Sequence, residues 1–171
     1  DSLRSLPCVT LDGYHLPLWV NTGLLADVKR AQQRGAEGVG LYRSEVAFMG
    51  SSRFPSESEQ VLMYREQLEA FHPLPVTMRT LDIGGDKPLS YFPIKESNPY
   101  LGWRGIRITL DHPEIFLVQV RAMIKASAGL NNLHILLPMI SGVHELDDAQ
   151  HLIHRAWGEL INEGVDVQMP Q

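Results

Sequence analysis

What most constrains this chain is the order of its segments. Four short, mainly apolar runs of strand type alternate with longer stretches of helical periodicity. The strand-type runs are Pro17 to Asn21, Gly38 to Arg43, Val76 to Leu81 and Leu133 to Leu137. Strands covered by helices on their faces read as such runs. The first helical stretch, Leu24 to Arg34, sets Leu24, Val28 and Ala31 on one face and stops at Gly35. The second opens with Ser56-Glu-Ser-Glu59 behind Pro55, a capping box, and carries Val61, Tyr64, Leu68 and Phe71 at helical spacing. The third, Pro113 to Ala128, has Asp111 as its cap, Leu117, Val120, Ile124 and Ala128 as its inner stripe, and Gly129 as its stop. The fourth, Val143 to Glu163, turns Leu146, Ala149, Ile153, Ala156 and Leu160 inward. A hairpin signal at Val9 to Tyr14, with Asp12-Gly13 as its turn, precedes them all.

Four successive βα units predict a parallel sheet with right-handed crossovers. They make either a small open sheet or half of a (β/α)8 barrel, which typically takes ~250 residues. Half a barrel is our reading of the α/β pattern. With 171 residues and 44% apolar composition the chain can bury one core, and no linker divides it. We therefore expect residues 1–171 to form one unit with no internal boundary.

Charge and composition narrow the function. A formal net charge of -5 gives no basic face for nucleic acid or an anionic membrane, so any anion must be met by individual side chains. There is no apolar run near the ~18 residues that cross a bilayer. The single cysteine, Cys8, has no internal partner, which fits a reducing cytoplasm.

Two arginines then stand out. Arg43 closes the second strand-type run, and Arg79 lies within the third. A guanidinium at the end of a buried strand is costly unless an anion meets it, and active sites of barrels lie at the carboxyl ends of the strands. Both are candidates for clamping phosphate or carboxylate. The competing reading pairs Arg43 with Glu45 and Arg79 with Asp82 as plain ion pairs. Gly84 and Gly85, after Asp82, let the backbone approach a ligand closely. The long stretch Lys95 to Arg107 offers Arg104 as a third anion contact and Asn98 as a brace for the loop. Equally, Trp103 packs that loop down and its arginines are solvated. His144, His151 and His154 share the last helix, but their spacing favours a wet face over a metal site.

Three segments taken together carry a specific resemblance. They are Gly38-Val-Gly-Leu-Tyr-Arg43-Ser-Glu45, Arg79-Thr-Leu-Asp82-Ile-Gly-Gly-Asp-Lys87, and Glu96-Ser-Asn98-Pro-Tyr-Leu-Gly-Trp-Arg104-Gly-Ile-Arg107. The chain resembles the phosphoenolpyruvate-binding barrel of enzyme I of the bacterial phosphotransferase system, most of all its nitrogen-regulatory form. The resemblance implies a (β/α)8 barrel that binds phosphoenolpyruvate with Mg²⁺. It implies transfer of the phosphoryl group to a histidine on a separate domain, and from there to a histidine-containing carrier protein. By the motif, Arg43 and Arg79 hold the substrate phosphate and Arg104 is a further active-site arginine. The metal ligands, the acceptor histidine and the proton-donating cysteine of that family have no counterparts in the chain. The expectation is therefore the amino-terminal half of such a barrel, from a cytoplasmic protein, inactive alone and forming a homodimer through its open sheet edges. Phosphoenolpyruvate synthase, pyruvate phosphate dikinase, and a non-catalytic binding module remain the alternatives.

Overall fold

The computed structural model describes residues 6–23 and 26–171. Four parallel strands stand in sequential order: β1 (Val20–Thr22), β2 (Val39–Arg43), β3 (Val76–Arg79) and β4 (Leu133–Leu136). Helix α1 (Ala26–Gln33) links β1 to β2. Helices α2 (Glu45–Met49) and α3 (Glu57–Phe71) link β2 to β3. A long loop, α4 (Ile106–Asp111) and α5 (Pro113–Ala126) link β3 to β4, and α6 (Val143–Asn162) follows. Packing is sequential too: α1 lies on α3, α3 on α5, and α5 on α6. A sheet that never reverses its strand order, with helices stacked in the same sequence, is compatible with a sector of a (β/α)8 barrel. It lacks the switch point of a doubly wound sheet.

Register builds the core. Val39 of β2 stands beside Val76 of β3, which stands beside Leu133 of β4, all three buried. Over them close Tyr64, Leu68 and Phe71 of α3, Phe116, Val120, Met123 and Ile124 of α5, and Ala149, Ala156 and Leu160 of α6. The capping box of α3 is formed: the Ser56 hydroxyl accepts from the Glu59 N–H, and the Glu59 carboxylate accepts from the Ser56 N–H at 2.7 Å. Gly35 and Gly129, at φ +78° and +74°, end α1 and α5. The Asp12-Gly13 turn closes a short hairpin through a bridge between Val9 and His15. Beyond β4, the Ile135 N–H donates to the Gln171 carbonyl at 2.8 Å, so the last residues lie along the edge opposite β3.

Several sequence expectations are corrected. Helices α2 and α4 were not anticipated, because α2 is too short to show a period and Ile106-Arg-Ile-Thr-Leu110 alternates like a strand. Asp111 does not cap α5. It ends α4 and accepts from the Trp103 indole N–H at 2.6 Å, while His112 takes the cap position ahead of Pro113. Leu146 is 37% exposed and does not join the inner face of α6. Leu24 lies outside the described residues. A second apolar cluster of Phe48, Leu81, Ile83, Leu89 and Ile108 sits under the long loop, with Phe92 and Trp103 packed against it. That loop therefore has its own small core.

Candidate functional site

Arg43 is the last residue of β2 and Arg79 the last of β3, and the two are direct register partners. Neighbouring strands lie about 4.8 Å apart, and register partners in a parallel pair share a face. Two guanidinium groups thus leave the carboxyl edge of the sheet side by side. Like charges so placed repel unless anions lie between them.

Their surroundings differ. Arg43 is exposed, and its side chain makes no hydrogen bond or ion pair with any described residue. Glu45 ignores Arg43 and bonds to Nη2 of Arg79. The second nitrogen of Arg79, Nη1, meets Asp82 at 3.0 Å. Its Nε is buried without a partner, as is Oε2 of Glu45. Both ion-pair alternatives read from the sequence are thereby decided: Arg79 pairs with Asp82, and Arg43 does not pair with Glu45.

Asp82 is the hub of this corner. Besides Arg79 it receives Arg104 Nη2 at 3.2 Å and has Lys87 Nζ at 3.9 Å. Lys87 also approaches Glu45 at 3.4 Å. Arg104 is only 6% exposed and also bonds Asp86 at 2.9 Å, so it is tied to two carboxylates instead of facing solvent. Its Nε lacks a partner too. Lys87 and Asp86 are not singled out from the sequence, and Glu45 is read there only as a partner for Arg43. A signal existed in the Gly84-Gly85-Asp86-Lys87 turn, which sets a cation just beyond the strand end.

The remaining candidates shape the loop. Lys87 N–H donates to the Gly84 carbonyl at 3.0 Å to form the turn. A Cβ on Gly84 would lie 3.0 Å from Arg104 Cβ, and one on Gly85 would lie 2.8 Å from Pro99 Cβ. Their role in this structure is to let the segment from Pro99 to Arg104 press against them. Asn98 accepts from the N–H groups of Leu101 and Gly102 and closes a turn well into the loop. Glu96 staples the same turn by accepting from Asn98 N–H at 3.0 Å and Trp103 N–H at 2.8 Å, and these bonds hold its carboxyl below the usual range. Gly105 sits at φ +55°, where a Cβ would lie 3.2 Å from Asp82 Oδ1. Only glycine adopts that backbone without strain while allowing Asp82 so close.

Arg43, Arg79, Lys87 and Arg104 outnumber Glu45, Asp82 and Asp86 by one charge, and the buried Nε–H groups of Arg79 and Arg104 are unspent, as is the whole Arg43 guanidinium. Arginine stays protonated through the biological pH range, so the chemistry of this corner suits neutralising an anion and not taking a proton from one. Guanidinium forks suit phosphate and carboxylate. Among the described residues no group of three His, Cys, Asp or Glu side chains could hold a metal ion. The three nearby carboxylates are already taken by cations, so these residues do not fit Mg²⁺. His144, His151 and His154 are exposed along α6, far in sequence from this corner. No helix of the described residues is long and apolar enough to cross a membrane.

The class is defined by a parallel α/β sheet with two arginines paired in register at its carboxyl edge. Residues 1–170 match the PEP-binding domain of PEP-utilising enzymes, and the chain belongs to that family. It is 49% identical over 167 residues to "Phosphoenolpyruvate-dependent phosphotransferase system" of Escherichia coli, covering 98% of this chain and 22% of that protein. It is 45% identical over 168 residues to "Phosphoenolpyruvate-protein phosphotransferase" of Staphylococcus carnosus, covering 98% of this chain and 29% of that protein. The protein of the same name from Haemophilus influenzae is 44% identical over 163 residues, 95% of this chain and 28% of that protein. The chain thus spans less than a third of the length of these relatives.

Proposed function

We propose that this chain is the phosphate-binding part of a phosphoenolpyruvate–protein phosphotransferase of the enzyme I type. In this reading Arg43 and Arg79 clamp the phosphoryl group, Lys87 adds charge beside them, and Arg104 acts through Asp82. The phosphoryl group passes to a histidine and then to a histidine-containing carrier protein. Phosphoryl transfer depends on positioning the group and neutralising its oxygens, and that is what this cluster offers. The observation that carries the reading is the in-register pair Arg43 and Arg79, one of them free of any described partner. Calorimetric titration with phosphoenolpyruvate, inorganic phosphate and pyruvate tests it. Phosphoenolpyruvate and phosphate should compete for one site, with binding weakened about tenfold or more in Arg43→Gln and Arg79→Gln. Pyruvate binding as tightly as phosphoenolpyruvate would overturn the reading.

Three finer points belong to the same proposal. The motifs around Arg43, Arg79 and Arg104 support the nitrogen-regulatory form of the enzyme. Phosphoryl transfer to the sugar-branch carrier in preference to the nitrogen-branch carrier would refute that assignment. A cytoplasmic location follows from the reaction proposed. A homodimer is supported by the exposed Leu6, Leu11, Tyr14 and Leu18 on the segment that leads into the edge strand β1, and light scattering showing a strict monomer at high concentration would refute it.

A further inference from the structure

A buried hydrogen-bond chain runs behind the arginines, and its centre is Gln119 of α5. Its Oε1 accepts from the Leu81 N–H at 2.8 Å. Its Nε2 donates to Ser44 Oγ and to the Tyr64 hydroxyl, both at 3.1 Å. Ser44 Oγ in turn donates to the Arg79 carbonyl at 2.7 Å. Tyr64 donates to Gln60 Oε1 at 3.0 Å, and Gln60 donates to the Pro55 carbonyl at 2.9 Å. Ser44, Leu81, Gln119 and Tyr64 are all fully buried. The donors and acceptors form one consistent direction, so the amide has a single sensible orientation.

The placement of these contacts matters more than their number. Ser44 lies between Arg43 and Glu45, and Leu81 immediately precedes Asp82. Glu45 and Asp82 are the two carboxylates that hold Arg79. One amide side chain therefore pins the backbone on both sides of the arginine pair and beside both of its counter-ions.

We propose that Gln119 is a positioning residue that sets the spacing of Arg43 and Arg79 for a phosphate-bearing substrate. This rests on the phosphoenolpyruvate reading above. Gln119 touches no substrate and acts only through Ser44 and Leu81. An amide of this length is needed, since an apolar side chain leaves the Leu81 N–H without an acceptor and removes the donor that holds Ser44 Oγ against the Arg79 carbonyl in a dry site.

The test is phosphoenolpyruvate affinity by calorimetry alongside thermal unfolding, on five variants of the protein, Arg79→Gln among them. Gln119→Met and Ser44→Ala each weaken binding about tenfold or more, because misplacing a clamp by about 1 Å costs on this scale. The double variant binds no more weakly than the worse single one, as expected for two residues in one chain of contacts. Arg121→Met is the control for general loosening of α5, since Arg121 ties that helix to Glu57, Glu159 and Glu163 away from the strand ends. It lowers the melting temperature and leaves affinity within about twofold. Should Gln119→Met fail to fold, Ser44→Ala against Arg121→Met decides the matter alone. Affinity that falls only in proportion to melting temperature across all variants overturns the inference. So does wild-type affinity in Ser44→Ala while Arg79→Gln has lost binding. Wild-type affinity in Arg79→Gln overturns both this inference and the reading beneath it.

Discussion

Arg43 and Arg79 share a register position, but their loss should affect stability very differently. Replacing Arg79 by Met removes a guanidinium that is 15% exposed from between Glu45, 2% exposed, and Asp82, 8% exposed. Breaking a buried pair by deleting one partner costs about 3–5 kcal/mol, since the other charge stays buried. Here Lys87 remains 3.4 Å from Glu45, and Arg104 remains 3.2 Å from Asp82. Those two cations put the expected cost at the lower end, about 3 kcal/mol. For a chain of this size, each kcal/mol moves the melting temperature by about 2–4 °C, so Arg79→Met should melt roughly 6–12 °C lower. Arg43→Met removes an exposed side chain without a described partner and should stay within about 0.5 kcal/mol. Pairing Glu45→Met with Arg79→Met should recover most of the loss, because an apolar pair of similar volume tolerates burial. Thermal unfolding followed by circular dichroism reads all three variants. If Arg79→Met melts within about 2 °C of Arg43→Met, the buried-pair argument is wrong.

Two further outcomes follow from the loop. Gly105→Ala forces a Cβ into a left-handed position 3.1 Å from Met139 Cγ and 3.2 Å from Asp82 Oδ1, and should destabilise by about 2 kcal/mol while weakening phosphate binding. An unchanged affinity in a folded Gly105→Ala protein would detach that glycine from the site. Glu96 should act as an acid-sensitive staple. The N–H of Asn98, followed by that of Trp103, lowers its native pKa, so its contribution is complete above the ordinary glutamate range and is lost as pH falls through the depressed native value. The backbone amide signal of Trp103 in NMR should therefore shift as pH falls below the ordinary glutamate range, and lose that transition in Glu96→Gln. A transition that persists unchanged in Glu96→Gln assigns it elsewhere.

Much of the frame was legible in the chain because periodicity reports which face of an element is apolar. Ser56 and Glu59 mark the start of α3 through contacts three residues apart, and Gly129 marks the end of α5, so both can be read locally. Arg43 and Arg79 could be marked as anion contacts for a similar reason: a fixed cation at a strand end needs a partner. The short helices α2 and α4 escaped because five and six residues are too few to establish a helical face.

The sequence by itself determined the alternation of strands and helices, the family motifs and the two arginines. Only the tertiary structure decided that these arginines are register partners, that Glu45 turns to Arg79, and that Arg104 reaches Asp82. It also brought Gln119 to Ser44, 75 residues away, and to Leu81, 38 residues away. Local sequence signals span a turn or two of chain. Which charge meets which depends on strand register and helix packing, and those are settled only when the whole core closes.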